Sequence, residues 1–147
     1  MLTKLKYVGT STEDLIDIYI LFVRSVAEYC SVVFHSSMTQ EESEKLERIQ
    51  KTCLRVILGE MYVSYEAALE MTGLQTLSLR RGKRCLDFSL KCIKHPKNKR
   101  IFPLNNREFG QAQHTKETFE VNFAKTGAYK KSTIPYCQRL LNEHFGA

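Results

Sequence analysis

The apolar residues between Thr39 and Gly59 recur at three- and four-residue steps, and this spacing constrains the fold more than any other feature of the chain. Such a stripe buries one face of an α-helix and leaves the opposite face in water. Glu42 completes the pattern of a capping box with Thr39, and Gly59 suits the position that follows a helix. The sequence therefore predicts a helix between Thr39 and Gly59, with Glu47 on the wet side in an ion pair with Lys51. The predicted buried stripe contains Leu46, Ile49, Cys53, Val56 and Ile57.

Other segments carry the start and stop signals of helices. Ser11 and Asp14 resemble a second capping box, and Gly73 and Pro96 each follow a helical pattern that they are suited to end. The predicted helices run from near Thr12 to about Val33, over 64–71 and 77–95, and within 134–142. These elements predict a mainly α fold class, an antiparallel helical array of about four helices with an irregular basic C-terminal tail.

The helical periodicity weakens after Pro96, which suggests a helical domain over 1–96 and a basic, mostly irregular tail with a short terminal helix over 97–147. The charge is also uneven along the chain. Residues 1–60 hold seven Lys and Arg against nine Asp and Glu, whereas residues 61–147 hold fifteen against seven. The second half is therefore the part expected to face a polyanion, either RNA or DNA.

The sequence contains no run approaching the roughly 18 consecutive apolar residues of a membrane-spanning helix. Met1–Lys6 lacks the apolar segment of a signal peptide. The five cysteines are spaced irregularly, which suits reduced thiols inside a cell. We therefore expect an intracellular protein with no membrane partner.

Candidate catalytic residues are scarce. Two-metal polymerase chemistry needs clustered carboxylates, but the only aspartates are Asp14, Asp17 and Asp87. The glycines form no phosphate-binding loop. The histidines stand far apart, at His35, His95, His114 and His144, without the ligand spacing of a zinc or iron site. We therefore expect no catalytic residue, no cofactor and no metal, and predict that the chain is not an enzyme.

A group of basic residues in the predicted helix over 77–95 is the candidate binding site. The predicted nucleic-acid-binding residues are Arg80, Arg81, Lys83, Arg84 and Lys94. Arg80, Lys83, Arg84, Lys91 and Lys94 are expected to share much of one helix face, and Lys97, Lys99 and Arg100 extend the positive charge beyond it. A one-sided basic stripe can follow a phosphate backbone, although a solvated helix face without a ligand is the alternative.

Two tyrosines stand among positive charges near the C-terminus. Tyr129 precedes two lysines, and Tyr136 lies three residues before Arg139. This arrangement suits stacking on single-stranded nucleic acid, but packing in a core is the more frequent use of a tyrosine.

A shared sequence pattern runs through Glu13–Cys30, Val33–Ser37, Leu46–Lys51, Ala67–Leu69, Gly73–Leu77, Arg80–Arg81 and Tyr129–Tyr136. These stretches resemble the segment that follows the polymerase core in many non-LTR retrotransposon reverse transcriptases. The resemblance covers nearly the whole chain. It implies a helical thumb-like or post-thumb region that helps to hold primer and template, with the metal-binding aspartates of that family lying upstream. Ala27 stands where the family usually has Leu, and Phe34 where it usually has Trp, so the packing at both sites is expected to be looser.

Residues 11–59 are also similar to a short domain named after the N-terminal region of an AlkB-type alkylation-repair homologue. That name carries dioxygenase and methyltransferase associations, but the sequence lacks the H-x-D…H iron set and the glycine-rich cofactor loop that they need. Two other interpretations stay open. One is a helical interaction module that docks a protein partner or a second copy through the Leu15–Tyr29 face, and the other is a reading frame without a selected function.

Overall fold

The computed structural model describes residues 1–98, 100–104 and 118–146, and these residues are mainly helical. The mainly α fold class predicted from the sequence is confirmed. The helices are α1 (Leu2–Tyr7), α2 (Thr12–Ile18), α3 (Ser25–Ala27), α4 (Ser31–Phe34), α5 (Gln40–Leu58), α6 (Tyr65–Thr72), α7 (Leu77–Lys94), α8 (Gly127–Lys130) and α9 (Thr133–Gly146). A π-helical segment, Tyr19–Arg24, joins α2 to α3, and 3₁₀ turns over Gly59–Met61 and Pro96–Asn98 follow α5 and α7.

The chain divides into two compact units. Unit 1 contains Met1–Tyr29 and Met38–Arg81, and unit 2 contains Cys30–Ser37 and Gly82–Ala147. This division differs from the boundary at residue 96 that the periodicity suggests. The physical reason is that part of the predicted tail shares a core with α7. The apolar side chains of that core are Leu90, Cys92, Ile93, Phe102, Phe119, Cys137 and Leu141.

Helix α5 forms the centre of unit 1, where it contacts α1, α2 and α6. The predicted capping box is present, since Thr39 Oγ1 accepts from the Glu42 amide at 3.2 Å and Glu42 Oε2 accepts from the Thr39 amide at 2.8 Å. The predicted helix end at Gly59 is also confirmed. Lys6 of α1, a helix that the sequence patterns did not predict, donates to the last carbonyls of α5 at 2.8 and 3.0 Å and stabilises its C-terminus.

The predicted helix from Thr12 to about Val33 is interrupted, and this expectation was wrong beyond Ala27. The backbone turns at Cys30, which has a φ of 51°. Before that turn, the hydroxyl of Ser25, the first residue after the π-helical segment, donates to two carbonyls within the segment. They are the carbonyls of Leu21 and Phe22, at 2.6 and 3.1 Å. Side-chain hydroxyls that bond back to helix carbonyls bend helices, and π turns hold more residues than α turns.

A buried amide joins three parts of unit 1. Gln50 Oε1 accepts from Tyr19 Oη at 2.6 Å, and Gln50 Nε2 donates to Tyr65 Oη at 2.9 Å and to the Gln75 carbonyl at 3.0 Å. Gln50 and Tyr19 are almost completely buried, and Tyr65 is buried as well. Because a buried polar group without a partner is costly, these bonds select one relative placement of the π-helical segment, α5 and α6.

Glu47 belongs to the same network. Tyr65 Oη donates to its carboxylate, and Glu47 Oε1 also accepts from the Leu77 amide at 3.2 Å. The expectation that Glu47 lies on the wet side of α5 in an ion pair with Lys51 was therefore wrong, because α6 and the start of α7 cover that side. The Lys51 ammonium instead lies over the Tyr65 ring, 4.8 Å from its centroid.

The buried tyrosines generate a prediction about alkaline pH. Burial raises the pKa of both Tyr19 and Tyr65 well above the usual range, and the hydrogen bond to Glu47 raises the pKa of Tyr65 further. An unfolded chain releases these protons near pH 10, whereas the folded protein retains them. We therefore expect full stabilisation below about pH 10 and a falling free energy of unfolding above it, measured by urea denaturation.

Tyr19→Phe should make this decline shallower, in addition to lowering the free energy of unfolding by about 1 kcal/mol at neutral pH because Gln50 loses a partner. Tyr7→Phe is the matched control, since Tyr7 is 94% exposed. Equal alkaline slopes for the wild type and both variants would contradict the prediction.

Candidate nucleic-acid interface

Arg80 belongs to an ion pair inside unit 1. Its Nε donates to Glu28 Oε1 at 2.8 Å and its Nη2 to Glu28 Oε2 at 3.3 Å. Glu28 is only 1% exposed, while Arg80 is about a quarter exposed. This fork-to-carboxylate geometry is well suited to holding an arginine in place. Arg80 is therefore largely used within the fold.

Arg81 is a buried residue of α7 and not a surface residue. It is fully buried in unit 1, where its Nη2 donates to Ser43 Oγ at 2.8 Å. Buried arginines are rare unless the fold supplies partners for them, so we interpret Arg81 as a residue that stabilises the interior of unit 1. It does not lie beside the other predicted binding residues on the surface of α7.

The remaining basic residues of α7 lie in unit 2 and share one exposed side of the helix. They are Lys83, Arg84, Lys91 and Lys94, which we call the basic face. Cys85 and Ser89 lie on the opposite side and are completely buried, and Ser89 Oγ donates to the Cys85 carbonyl at 2.7 Å. Helical spacing puts exposed Asp87 among the cations, where it reduces the positive potential of the basic face.

The sequence of the unit that carries the basic face has a strong excess of positive charge. The sequence of unit 2 contains thirteen Lys and Arg against five Asp and Glu, whereas that of unit 1 contains nine against eleven. Lys97 and Arg100 are exposed beyond the end of α7, and Lys99 lies outside the described residues. The division into units thus separates the charges: unit 2 has a net charge of +8 and unit 1 of −2.

The two tyrosines flagged by the sequence have different environments. Tyr136 is half-buried against His35, with the ring centroids 5.6 Å apart, and burial raises its pKa. Tyr129 is exposed. The sequence patterns missed a third aromatic residue, Phe123, which is 84% exposed in unit 2. The local sequence offered only a weak signal of this exposure, a lysine two residues further on at Lys125.

The Leu15–Tyr29 segment presents an apolar surface on its second half only. Leu15 and Tyr19 are buried in the core of unit 1. The side chains beyond them are between 61% and 76% exposed and form what we call the apolar strip: Leu21, Phe22, Val26 and Tyr29. The π-helical segment accounts for the split, because its wider turn shifts the later residues away from the face that Leu15 occupies.

The described residues contain no grouping of three or more His, Cys, Asp and Glu that could hold a metal ion. Asp14 accepts a hydrogen bond from the Ser11 hydroxyl at 2.7 Å as part of a helix cap.

An open hollow of about 240 Å³ in unit 1 has a mostly apolar lining that includes Cys53, and burial raises the pKa of this thiol. A raised pKa makes a cysteine a poorer nucleophile at neutral pH. His114, one of the four histidines, lies outside the described residues.

Comparisons with protein-family models, curated proteins and solved structures found no match to this chain. Within the part of the chain that the structure describes, no helix combines the length and the apolar character needed to cross a bilayer.

The contrasting roles of neighbouring cations generate a prediction. Arg80→Ala should lower the free energy of unfolding by about 1–3 kcal/mol, because the buried Glu28 carboxylate loses two hydrogen bonds. Lys83→Ala should change it by less than about 0.5 kcal/mol, since Lys83 is exposed. Urea denaturation at neutral pH measures both values. If the two variants are equally stable, the Arg80–Glu28 pair makes no net contribution.

Proposed function

We propose that unit 2 binds nucleic acid through the basic face and that the chain acts without catalysis. The observation that carries this proposal is the common exposure of Lys83, Arg84, Lys91 and Lys94 on one side of α7, in a unit with a net charge of +8. Arg80 and Arg81, which the sequence suggested as part of the same site, are engaged in unit 1 and are left out of the proposed contact surface.

The length of the basic face suits a phosphate backbone. Lys83 and Lys94 are eleven residues apart, which corresponds to about 16 Å along a helix. Double-stranded DNA carries one negative charge per roughly 1.7 Å of its axis, so several phosphates lie within that distance. Lysine and arginine contacts with phosphates position a protein without reading bases, and the proposed binding is therefore not sequence-specific.

The proposal agrees with what the resemblance to non-LTR retrotransposon reverse transcriptases implies. We infer that the chain is a non-catalytic C-terminal fragment of such a protein, with nucleic-acid binding as its residual function. The similarity of residues 11–59 to an AlkB-type N-terminal domain supports no activity here, because the sequence lacks the iron ligands of a dioxygenase and the cofactor loop of a methyltransferase.

Charge reversal tests this proposal. The triple variant Lys83→Glu, Lys91→Glu, Lys94→Glu should bind a fluorescein-labelled primer–template duplex at least about tenfold more weakly at ~50 mM salt, because it loses three phosphate contacts. The wild-type affinity should also fall steeply from ~50 to ~200 mM salt. Fluorescence anisotropy measures both effects.

The matched control is Lys4→Glu, Lys45→Glu, Arg48→Glu, which changes the net charge equally at exposed positions of unit 1. A control that weakens binding as much as the basic-face variant would show that only total charge matters. Circular dichroism should show that both variants remain folded. Absence of duplex binding by the wild type at ~50 mM salt would overturn the proposal.

A second candidate function, self-association, is favoured by the apolar strip. Contiguous exposed apolar side chains are a common mark of protein interaction sites. Leu21, Phe22, Val26 and Tyr29 are all at least 61% exposed on consecutive turns of unit 1. We propose a second copy of the chain as the occupant, because the strip can then bury itself against an identical surface.

Sedimentation velocity tests this candidate. The wild type should show a concentration-dependent dimer, and Val26→Glu should shift it to the monomer because the variant places a charge in the proposed contact. Val63→Glu is the matched control, since Val63 is 84% exposed outside the apolar strip. A wild type that remains monomeric at high concentration would contradict self-association.

A further inference from the structure

We propose that Phe123 is a stacking platform for an unpaired base, so that unit 2 binds single-stranded nucleic acid at the segment from Asn122 to Lys131. The inference rests on the proposed function, because it assumes that unit 2 binds nucleic acid, and it adds the form of the ligand. The proposed contacts are the Phe123 ring for a base and the ammonium groups of Lys125, Lys130 and Lys131 for phosphates.

The backbone before Phe123 is held against α9. The Phe119 amide donates to Asn142 Oδ1 at 2.8 Å, and Asn142 Nδ2 donates to the Phe119 carbonyl at 2.9 Å. The Asn122 amide donates to Gln138 Oε1 at 2.9 Å, and Gln138 is completely buried. Phe123 therefore projects into solvent from an anchored segment, and its 84% exposure is a feature of the fold.

The chain after Phe123 is anchored as well. Thr126 Oγ1 accepts from the Tyr129 amide at 3.2 Å and caps α8. Arg139 Nη2 donates to the Lys130 carbonyl at 2.8 Å, and Asn122 Nδ2 contacts Tyr129 Oη at 3.4 Å. These contacts hold the exposed Tyr129, and with it Lys130 and Lys131, in the same part of unit 2 as Asn122.

The combination of one exposed ring with nearby cations favours nucleic acid over a protein ligand. Cores of protein interfaces are depleted in lysine, whereas single-strand binding proteins combine stacking aromatics with a positively charged path for the backbone. Lys125, Lys130 and Lys131 are all exposed and lie within eight residues of Phe123 in the sequence. The apolar strip of unit 1 has the opposite character, since it contains four exposed apolar side chains and its segment, Leu21–Tyr29, contains no lysine.

A single strand is required because the faces of paired bases are covered by their neighbours. An unpaired base offers its face to the ring, and every base has such a face, so the stacking is sequence-tolerant. Single-stranded and duplex ligands should therefore depend on different residues of unit 2. Phe123 acts on the first, and the basic face of α7 acts on both.

The experiment compares three fluorescein-labelled probes by fluorescence anisotropy: oligo(dT), an abasic single strand of the same length, and a duplex. The abasic strand has the same phosphate charges and no bases. The wild type should bind oligo(dT) more tightly than the abasic strand. Phe123→Ala should weaken binding to oligo(dT) by at least about fivefold. It should leave the affinities for the abasic strand and the duplex unchanged.

Phe123→Tyr should restore the preference for oligo(dT), because it keeps the aromatic ring. Tyr7→Ala is the matched control, since Tyr7 is an exposed aromatic residue next to a lysine in unit 1. This variant should bind all three probes as the wild type does. Thermal melting followed by circular dichroism should show that each variant folds.

Other outcomes overturn the inference in distinguishable ways. If Phe123→Ala leaves oligo(dT) binding intact while charge reversal of the basic face weakens it, stacking is wrong and the proposed function stands. The same holds if the wild type binds the abasic strand as tightly as oligo(dT), since charge alone then explains binding. If the wild type binds none of the three probes at ~50 mM salt, both the inference and the proposed function fail.

Discussion

Unit 1 depends on the side-chain amide of Gln50. This completely buried group accepts from Tyr19 and donates to Tyr65 and to the Gln75 carbonyl. It therefore joins α5 to the π-helical segment after α2, to α6 and to the link before α7. An amide has both donors and an acceptor, which lets one side chain satisfy partners of both kinds. Apolar contacts between the same helices would tolerate sliding, whereas these directional bonds do not. Much of unit 1 therefore takes its geometry from one polar residue.

At the start of α7, basic residues that are close together in the sequence differ in their burial and in their hydrogen-bonding partners. Arg81 is on the buried side and bonds to Ser43, and Arg80 forms a fork with buried Glu28. Lys83, one turn on from Arg80, is exposed. Arginine suits the inner positions because its planar guanidinium keeps its charge and directs several donors at fixed partners, while the compact ammonium of lysine is more strongly hydrated. Lys83 therefore remains accessible to a ligand, whereas Arg80 and Arg81 are largely used within unit 1.

Local signals accounted for much of the secondary structure. Thr39 with Glu42, Gly59 and Gly73 all occupy the capping positions that the sequence predicted, because a cap satisfies backbone groups within a few residues of itself. Helix α1 was not predicted. Its residues gain stability from burial of Leu2 and from the bonds of Lys6 to the end of α5, which lies about fifty residues away in the chain. Contacts across such a separation leave no periodic pattern in a short segment.

By itself, the sequence determined the helical character of the chain, the ends of α5 and α6, and the excess of positive charge in its second half, since all three depend on residue type and short spacing. The tertiary structure decided which polar residues entered the interior. It placed Glu47 and Arg81 inside unit 1 and left Phe123 exposed, although residue type alone suggests the reverse for each of them. The physical reason is that burial is decided by the surfaces that distant helices place against a residue, and a buried charge is tolerated only where those surfaces supply hydrogen-bonding partners.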